Sequence, residues 1–386
     1  MKRTLSVLLS YVLVAAVATA LTLHLVSSGV WGGTSKLDQL ETLILDRFAG
    51  DADATAMEDA AAAAMIKATG DRWSYYIPAS EYQSYVEQSE NAYVGVGITI
   101  QATENNEGFL LVEVNPEGPA AEAGLEVGDV LIAVEEEDVR GMATAGVREL
   151  VRGKEGTFVK MTVLRKGEHR SFSVERRQVL TPVAYQEMLE DGIGLVTIVN
   201  FDERCAEETI SAIKTLLKNG AEKLIFDVRY NGGGYASEMV DVLDYLLPEG
   251  ELFRMVSSAG KESIDYSDAE YLDIPMAVLV NGGTYSAAEF FAEALRQYDA
   301  AVIVGEQTSG KGFYQNTFRL QDGSAVALSV GRYYTPAGTS LEGVGVTPDR
   351  IVELGEEQAS GLYYGTLASG DDPQIQEAVK LLKARK

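Results

Sequence analysis

The sequence predicts an α/β protein, and three features of its pattern support this fold class. From about residue 192 onward, short apolar runs alternate with stretches of helical spacing, which is typical of strand–helix units on a parallel sheet. Between about residues 93 and 179, apolar positions instead alternate in short strands separated by glycine. The chain up to residue 88 is helical in pattern. The protein therefore combines N-terminal helices, a strand-rich region and a β/α region.

Composition excludes several classes of function. The 386 residues allow roughly two or three domains. A formal net charge of −26 argues against nucleic acid as a partner, because phosphate binding needs clustered Lys and Arg. The single cysteine, Cys205, rules out an intrachain disulfide, and with two histidines it makes a zinc site improbable. We expect Cys205 to be a small, partly buried residue, and we predict no metal and no other cofactor.

The N-terminus has the features of an export segment. Lys2 and Arg3 precede an apolar run from Leu5 to about Val26, and a helix of that length spans roughly the 30 Å core of a bilayer. Residues 18–20 also match the A-x-A pattern of a cleaved signal peptide. The apolar run continues past that site, which favours an uncleaved anchor. In either case, the positive residues at the start send the remainder of the chain across the membrane.

The next two regions are predicted from periodicity. Lys36 to Thr69 has the spacing of a helix that ends at Gly70, and a short helix is expected from Ser80 to Gln88. The strand-rich part contains several short strands, one short helix that begins at Pro119 and a longer helix at residues 143–153. Its last part is a hairpin that turns near residues 166–167. His169 is one polar position of this hairpin, and we expect it to be an exposed strand residue.

The remainder alternates strands and helices. Strands are predicted at residues 192–201, 221–227, 274–280 and 300–308, with helices at 206–220, 235–248 and 286–299. The tail, residues 371–386, has the pattern of an amphipathic helix with a basic end.

Ser286 stands where a predicted strand meets a predicted helix, in the segment NGGTYSAAEF. Its hydroxyl could cap the helix by accepting a bond from a backbone N–H, or it could be a nucleophile at the positive helix end. With His24 in the apolar segment and His169 on a strand, the base would have to be a lysine. A buried amine loses its proton readily. Lys311 lies between two glycines and next to aromatic residues, but a surface lysine in a loop is the simpler interpretation.

Two further motifs bear on this region. Gly305 to Gly312 matches the G-x-x-x-x-G-K pattern of a phosphate loop, but Gly312 replaces the required Ser or Thr, and an alternating hairpin follows instead of a helix. Asp227 to Tyr235 forms a second glycine turn between a strand and a helix. Neighbouring turns of this kind meet at the carboxyl edge of a parallel sheet, where their N–H groups could bind one oxyanion. Two ordinary helix starts are the alternative interpretation.

Together these motifs resemble the carboxyl-terminal processing proteases, the tail-specific serine peptidases with a PDZ domain. VNGGTYSAAEFFAEAL, VGEQTSGKGFYQ, FDVRYNGGG and VGVTPD are similar to their protease motifs, and GDRWSYYIPASEYQSY to an N-terminal element. YVGVGITI, VNPEGPAAEAGLEVGDVLIAVEEEDV and LVRGKEGTFVKMTVLR look like their PDZ domain. The resemblance implies a crotonase/ClpP-like β/α protease core with an inserted PDZ domain and N-terminal helices.

The resemblance also implies the roles of catalytic residues. Ser286 matches the nucleophile, Lys311 the general base, and Gln315 the glutamine that orients the lysine. The backbone N–H groups of Gly233 and Ala287 match the oxyanion donors. The family's usual proline in the glycine turn is absent at residues 231–234, and a tyrosine precedes the serine where a small residue is common. The tyrosine, Tyr285, would narrow the pocket, so this departure bears on substrate preference.

The PDZ resemblance implies a binding site for substrate tails. The tail would add a strand to a sheet edge, and its carboxylate would bind the N–H groups of Gly95, Val96 and Gly97. Arg152, at the end of the PDZ helix, is a candidate contact to the tail or a latch that controls activity.

The expected organisation has five regions. They are a membrane anchor or signal segment (1–30), an N-terminal helical region (35–90), a PDZ domain (91–180), a serine protease core (181–360) and a C-terminal helical tail (361–386). The expected partners are polypeptides with exposed C-termini, the membrane through the N-terminal segment, and a second copy of the chain through the flanking helices. An inactive PDZ-type peptide-binding scaffold and an acyl-CoA-handling enzyme are the alternatives.

Overall fold

A computed structural model describes residues 16–20, 22 and 35–385 of the chain. The chain divides into two compact units, residues 1–78 and 79–386. Within the described ranges, no helix combines the length and the apolar character that crossing a bilayer requires. The predicted export segment, Leu5 to Val26, lies outside the described residues except for residues 16–20 and 22, which are helical.

The first unit contains two helices, α1 (Lys36–Arg47) and α2 (Ala54–Lys67), and a short strand, β1 (Tyr75–Ile77). The prediction of one helical stretch from residue 36 to 69 is wrong, because the chain leaves the helix at Phe48, which is extended. A new helix begins after Asp53, whose carboxylate accepts the N–H of Ala56 at 3.1 Å. A carboxylate in this position satisfies a backbone donor that a helix start leaves unpaired.

The strand-rich region follows a helix that is one residue longer at each end than predicted. In chain order its elements are α3 (Ala79–Ser89), β2 (Ala92–Gly95), β3 (Ile98–Ala102), β4 (Phe109–Val114), α4 (Pro119–Ala123), β5 (Val130–Val134), β6 (Glu137–Asp138), α5 (Thr144–Val151), β7 (Phe158–Arg165), β8 (Glu168–Glu175) and β9 (Arg177–Leu180). The main sheet has the order β3-β4-β5-β7-β8, with β6 beside β5, and β2 pairs with β9. The predicted hairpin is confirmed, and His169 is exposed on β8.

The rest of the chain forms a β/α region and the C-terminal helices. Its elements are β10 (Ala184–Met188), β11 (Ile193–Ile198), α6 (Cys205–Lys218), β12 (Lys223–Asp227), α7 (Ala236–Leu246), β13 (Gly250–Ser257), β14 (Glu262–Ser267), β15 (Met276–Val280), α8 (Ala287–Gln297), β16 (Ala301–Gly305), β17 (Phe313–Arg319), β18 (Ala325–Tyr334), β19 (Arg350–Ile351), α9 (Glu356–Tyr363) and α10 (Pro373–Ala384). Cys205 is fully buried at the start of α6, and burial raises the pKa of its thiol to about 12.

A six-stranded sheet positions the candidate site. Its order is β10-β11-β12-β15-β16-β19, and every pair is parallel except β10 with β11. Successive residues of β12 face opposite sides: Leu224 and Phe226 join the larger core, which also contains residues of α6, α7 and α8, and Ile225 joins the core under α10. Both faces are covered, which explains why these strands are continuous apolar runs.

A separate antiparallel arrangement contains β13, β14, β17 and β18. The predicted hairpin after residue 312 is confirmed as β17 and β18, which turn near residues 322–323. The β13–β14 hairpin was not predicted from the sequence. Its strands carry charged and polar residues and are only partly buried, so they lack a clear alternating apolar pattern.

Arg229 joins the end of β12 to the C-terminal helix through a buried ionic network. Its guanidinium contacts Asp227 at 2.6 Å and Asp372 at 2.7 Å, and it donates to Gln374 at 2.8 Å. Asp372 also caps α10 by accepting the N–H of Gln374 at 2.9 Å. The arginine thus holds both the turn after β12 and the start of α10.

We predict that Asp372→Ala destabilises the chain by about 3 kcal/mol or more, because it leaves a buried guanidinium short of a partner and removes a helix cap. Urea unfolding followed by circular dichroism measures the change. The matched control is Lys380→Ala on the same helix, which breaks only an exposed pair with Glu377. If the urea unfolding curve of Asp372→Ala coincides with that of the control variant, then the network contributes nothing to the free energy of unfolding.

Candidate active site

Three loops converge at the carboxyl edge of the six-stranded sheet, as predicted for neighbouring parallel strands. The glycine turn (228–234) follows β12, the serine turn (281–286) follows β15, and the lysine loop (306–312) follows β16. The Thr284 hydroxyl donates to the Val228 carbonyl at 2.8 Å, and the Ser309 hydroxyl donates to the Gly282 carbonyl at 2.7 Å. These bonds connect the serine turn to both neighbours.

Ser286 has a strained backbone at the start of α8. Its φ of 58° and ψ of −130° are rare for a residue with a side chain and cost on the order of 1–3 kcal/mol. The Ser286 side chain makes no capping hydrogen bond. The capping bond instead runs from the Ser286 N–H to the Glu289 carboxylate at 3.0 Å. The geometry therefore disfavours the interpretation of Ser286 as a simple helix cap.

The Glu289 carboxylate is fully buried and binds two loops at once. Besides the Ser286 N–H, Oε2 accepts the N–H of Lys311 at 2.8 Å. Oε1 accepts the N–H of Gly310 at 2.8 Å and the hydroxyl of Thr308. Burial raises the pKa of this carboxyl, and these donors oppose the rise. The carboxylate thus fixes the main chain at residue 286 relative to the main chain at residue 311.

The same bonds explain the resemblance of the lysine loop to a phosphate loop. A phosphate loop directs its backbone N–H groups at a bound phosphate. Here the N–H groups of Gly310 and Lys311 are directed at Glu289, and a strand follows the loop instead of a helix. The backbone N–H groups that would bind a phosphate in a nucleotide site are therefore already bonded to an internal carboxylate.

The side chain of Lys311 lies beside Tyr285, and the side chain of Gln315 contacts Ser329. The Lys311 amine is 5.7 Å from the centre of the Tyr285 ring. Among the hydrogen bonds of the described residues, none joins the Ser286 hydroxyl to the Lys311 amine. The Gln315 amide donates to Ser329 Oγ at 3.0 Å and to the Phe313 carbonyl at 3.3 Å. The structure therefore brings the serine turn and the lysine loop together.

Gly233 and Ala287, the predicted oxyanion donors, are adjacent. A Cβ at position 233 would lie 2.9 Å from the Ala287 nitrogen and 2.8 Å from the Ser286 Cβ, and φ at Gly233 is +86°. Only glycine fits there. Within the described part of the chain, the Ala287 N–H has no hydrogen-bond partner, whereas the Gly233 N–H donates to Asn231 Oδ1 at 2.8 Å.

The four predicted tail-binding residues line one groove between β3 and α5, a cavity of about 260 Å³ that we call the β3–α5 groove. Gly95, Val96 and Gly97 form its closed end, and Arg152 lies on the helix side. The β3 strand is the first of its sheet, so one of its edges is open to an added strand.

Sequence reasoning missed three residues at these sites. Glu289 follows Ser286 by three positions, which is the capping-box spacing, and this spacing could have revealed its bond to the Ser286 N–H. The Oδ1 atom of Asn231 accepts a hydrogen bond from the Gly233 N–H, and no sequence signal points to that bond. Arg148, one turn before Arg152, also lines the β3–α5 groove, and the four-residue spacing could have revealed it.

Comparison with known proteins identifies the family. Residues 192–352 match the model of peptidase family S41, and residues 111–165 match a PDZ domain. The carboxy-terminal processing protease CtpA of Bacillus subtilis (strain 168) is 31% identical over 401 residues, which cover 100% of this chain and 85% of that protein. The chain belongs to the S41 family of carboxy-terminal processing proteases. It is therefore a serine peptidase with a mixed α/β fold and a PDZ domain.

Other relatives agree with this S41 assignment. A CtpA-like serine protease of Staphylococcus saprophyticus is 29% identical over 353 residues, which cover 90% of this chain and 71% of that protein. A crystal structure described as an S41 protease of Bacteroides fragilis has a TM-score of 0.53 and 16% identity, and covers 90% of this chain and 97% of that one. The second similarity shows the fold alone.

We predict that Glu289→Gln lowers kcat of this S41 peptidase by about tenfold or more and changes KM little. The amide keeps the size of the carboxylate but replaces one acceptor oxygen with a donor, so buried N–H groups lose their partner at about 1–3 kcal/mol each. The lost hydrogen bonds are the ones that fix the serine turn relative to the lysine loop. Steady-state kinetics on a denatured polypeptide substrate, with circular dichroism to verify folding, measures the effect.

The matched control is Glu293→Gln, one turn later on α8. Glu293 is also buried, but its carboxylate binds Arg296 and Gln297 instead of the two loops. If Glu293→Gln lowers kcat as much as Glu289→Gln does, then general damage to α8 explains the loss and the role assigned to Glu289 is wrong.

A second prediction concerns pH and Asp202, which lies beside the glycine turn. A Cβ at Gly234 would come within 2.6 Å of its backbone nitrogen. Burial raises the pKa of Asp202 to about 7, and the charges of Glu238 and Glu203 add to the rise. Between about pH 4 and pH 7 the folded chain keeps a proton on Asp202 that the unfolded chain has released. Proton binding therefore stabilises the folded chain at low pH, and this contribution to the free energy of unfolding is lost as pH rises through about 7.

Asp202→Asn should remove this dependence and leave the chain more stable than wild type at pH 8, by about 1–2 kcal/mol. Urea unfolding at pH 5, 6, 7 and 8 measures it, with Asp51→Asn, an exposed carboxyl, as the control. An unchanged difference between pH 5 and pH 8 in Asp202→Asn would contradict the prediction.

Proposed function

We propose that this peptidase cleaves exported polypeptides near their C-termini with Ser286 as nucleophile and Lys311 as general base. The observation that carries the proposal is the Glu289 carboxylate, which holds the backbone N–H groups of both residues at 3.0 and 2.8 Å. Two loops that are distant in sequence are thereby fixed together at the edge of the sheet. A loop lysine without a function would not need this link.

The reaction follows from the chemistry of these groups. The neutral amine of Lys311 takes the hydroxyl proton as Ser286 Oγ attacks the peptide carbonyl, and the oxyanion rests on N–H groups of Gly233 and Ala287. The proton passes to the leaving amine, the C–N bond breaks, and an acyl-enzyme remains. Water then attacks the ester and returns the hydroxyl of Ser286, with Lys311 again carrying the proton. Gln315 would orient the lysine.

Two local changes would be needed before this chemistry. The Lys311 amine must leave the ring of Tyr285, 5.7 Å from its centre, and approach the hydroxyl. A rotamer change in a long side chain is sufficient for such a movement. The Gly233 N–H must exchange the Asn231 oxygen for the substrate oxyanion. The fixed main chain at residues 286 and 311 allows both changes without opening the loops.

The positions of the groove residues, the parallel sheet and the apolar N-terminal segment support the remaining parts of the proposal. The β3–α5 groove, with Gly95, Val96, Gly97 and Arg152 along its walls, would hold the C-terminal tail as an added strand. The parallel sheet with helices on both faces supports a crotonase/ClpP-like core at residues 181–360, after a PDZ domain at 91–180. The apolar N-terminal segment supports an extracytoplasmic location, membrane-anchored or secreted.

Self-association through the N-terminal helices also remains a proposal. Several large apolar side chains of α1 are exposed, namely Leu37, Leu40, Leu43 and Leu45. A second copy of the chain would cover them. The peptidase reaction does not depend on this pairing.

We predict that Ser286→Ala and Lys311→Ala each lower kcat/KM on an unstructured, casein-like polypeptide by about a thousandfold or more, without unfolding the chain. The control is Lys261→Ala, an exposed lysine in the turn between β13 and β14, which should keep wild-type activity. Full turnover by Lys311→Ala would refute the proposed base. Wild-type protein that binds tails but never cleaves them would favour the inactive scaffold instead.

A further inference from the structure

Two arginines on the helix side of the β3–α5 groove have no ionic partner. Arg148 lies on α5 and Arg152 is its C-cap, one turn later, and both line the groove. Arg148 is exposed and Arg152 is half-buried. Neither takes part in an ion pair or a side-chain hydrogen bond with any other described residue. Because the chain carries a net charge of −26, two uncompensated cations in one groove are unusual.

The other arginines of residues 91–180 are all held by internal partners. One of them, Arg176, donates to backbone carbonyls, including that of Val151 at 2.8 Å. The rest pair with carboxylates: Arg140 with Asp138, Arg165 with Asp129, Arg170 with Glu168, and Arg177 with Glu122. Among the described arginines of this region, the two groove arginines therefore differ from the rest in having no internal partner.

The groove itself offers these arginines no carboxylate. Its lining consists of apolar residues, backbone, Tyr93 and two threonines besides the arginines. The nearest acidic group that contacts the lining is Glu113 on β4, which accepts the hydroxyl proton of Thr99 at 3.0 Å. Glu149 lies next to Arg148 in sequence but does not line the groove. A negatively charged occupant would thus meet two cations inside the groove and one carboxylate at its side.

The geometry of an added strand determines which residue of a bound tail should carry a negatively charged side chain. The Tyr93 ring packs against Gly95, where an added Cβ would lie 2.6 Å from a ring carbon, and the nearby charge of Arg152 opposes the rise that burial causes in the pKa of Tyr93. Arg152 therefore lies near residues 95–97, which would hold a terminal carboxylate. Arg148 is one turn back along α5, about 6 Å away. Alternate residues of a strand face the same side at intervals of about 6.6 Å. The third residue from the end of a tail would therefore face Arg148.

We propose that the β3–α5 groove selects polypeptide tails that carry Asp or Glu at the third position from the C-terminus, through Arg148. This inference rests on the proposed function, in which the groove binds C-terminal tails. It adds a side-chain preference that the backbone contacts of residues 95–97 cannot supply. Arg152 would support the terminal carboxylate, and Arg148 would distinguish one tail from another.

The test is a fluorescence-anisotropy titration with the full chain carrying Ser286→Ala, so that the peptides are not cleaved. Two labelled decapeptides, identical except that they end in Glu-Ala-Ala or Gln-Ala-Ala, are compared at low salt. We expect Kd to be about fivefold lower for the acidic tail, at the upper end of what an exposed ion pair contributes. Moving the glutamate to the second position from the end should remove most of the gain.

Adding Arg148→Gln should abolish the preference while leaving the neutral tail bound as before. The side chain is exposed, so folding should not be affected. The control is Arg170→Gln, which removes an exposed arginine that pairs with Glu168 on β8 and should retain the preference. Loss of the preference in both variants would point to general charge attraction and would overturn the assignment to Arg148.

The outcomes separate the two proposals. If both tails bind equally and a free carboxylate still binds more tightly than the corresponding C-terminal amide, then the acidic preference is wrong and tail recognition stands. If the amide binds as tightly as the free carboxylate, then tail recognition by this groove fails, and the preference fails with it.

Discussion

The buried carboxylate of Glu289 is the constraint on which the candidate site depends. Burying a carboxylate is costly unless its lone pairs are satisfied, and here four donors satisfy them. Three of the donors are backbone N–H groups. The carboxylate therefore fixes the path of the main chain at residues 286, 310 and 311.

This constraint works only because the sheet delivers the loops to one edge. β12, β15 and β16 are neighbours and parallel, so the glycine turn, the serine turn and the lysine loop all leave the sheet at the same edge. The glycine turn is held from the other side by Arg229, which reaches Asp372 at the start of α10. The strained backbone of Ser286 can persist because these surrounding contacts determine it.

The sequence allowed the elements and their meeting point to be predicted, but not the contacts between them. Apolar runs, glycine turns and helical spacing indicated that the glycine turn and the serine turn would meet at one edge, whereas the link from Ser286 to Lys311 came from the family resemblance. The S-x-x-E spacing could have revealed the local capping bond of Glu289, but it could not show that the same carboxylate reaches a loop some twenty residues later. The bond from Asn231 to the Gly233 N–H depends on the detailed path of one turn. The break between α1 and α2 was missed because apolar residues at helical spacing before it are followed by an alanine-rich stretch after it.

The position of the Lys311 amine beside Tyr285 has a chemical consequence for the proposed mechanism. Beside the face of Tyr285, the ammonium form of Lys311 gains a favourable interaction with the ring. An ammonium ion has no lone pair with which to accept the hydroxyl proton. Moving the amine to Ser286 removes that interaction, and a bound peptide would exclude water, which disfavours the charged form further. In the proposed mechanism, the movement that brings the amine to the hydroxyl would therefore also favour the neutral form of the amine. In this arrangement the peptidase would be competent only when a substrate covers the site, and the carboxylate of Glu289 would keep the loops in place during the change.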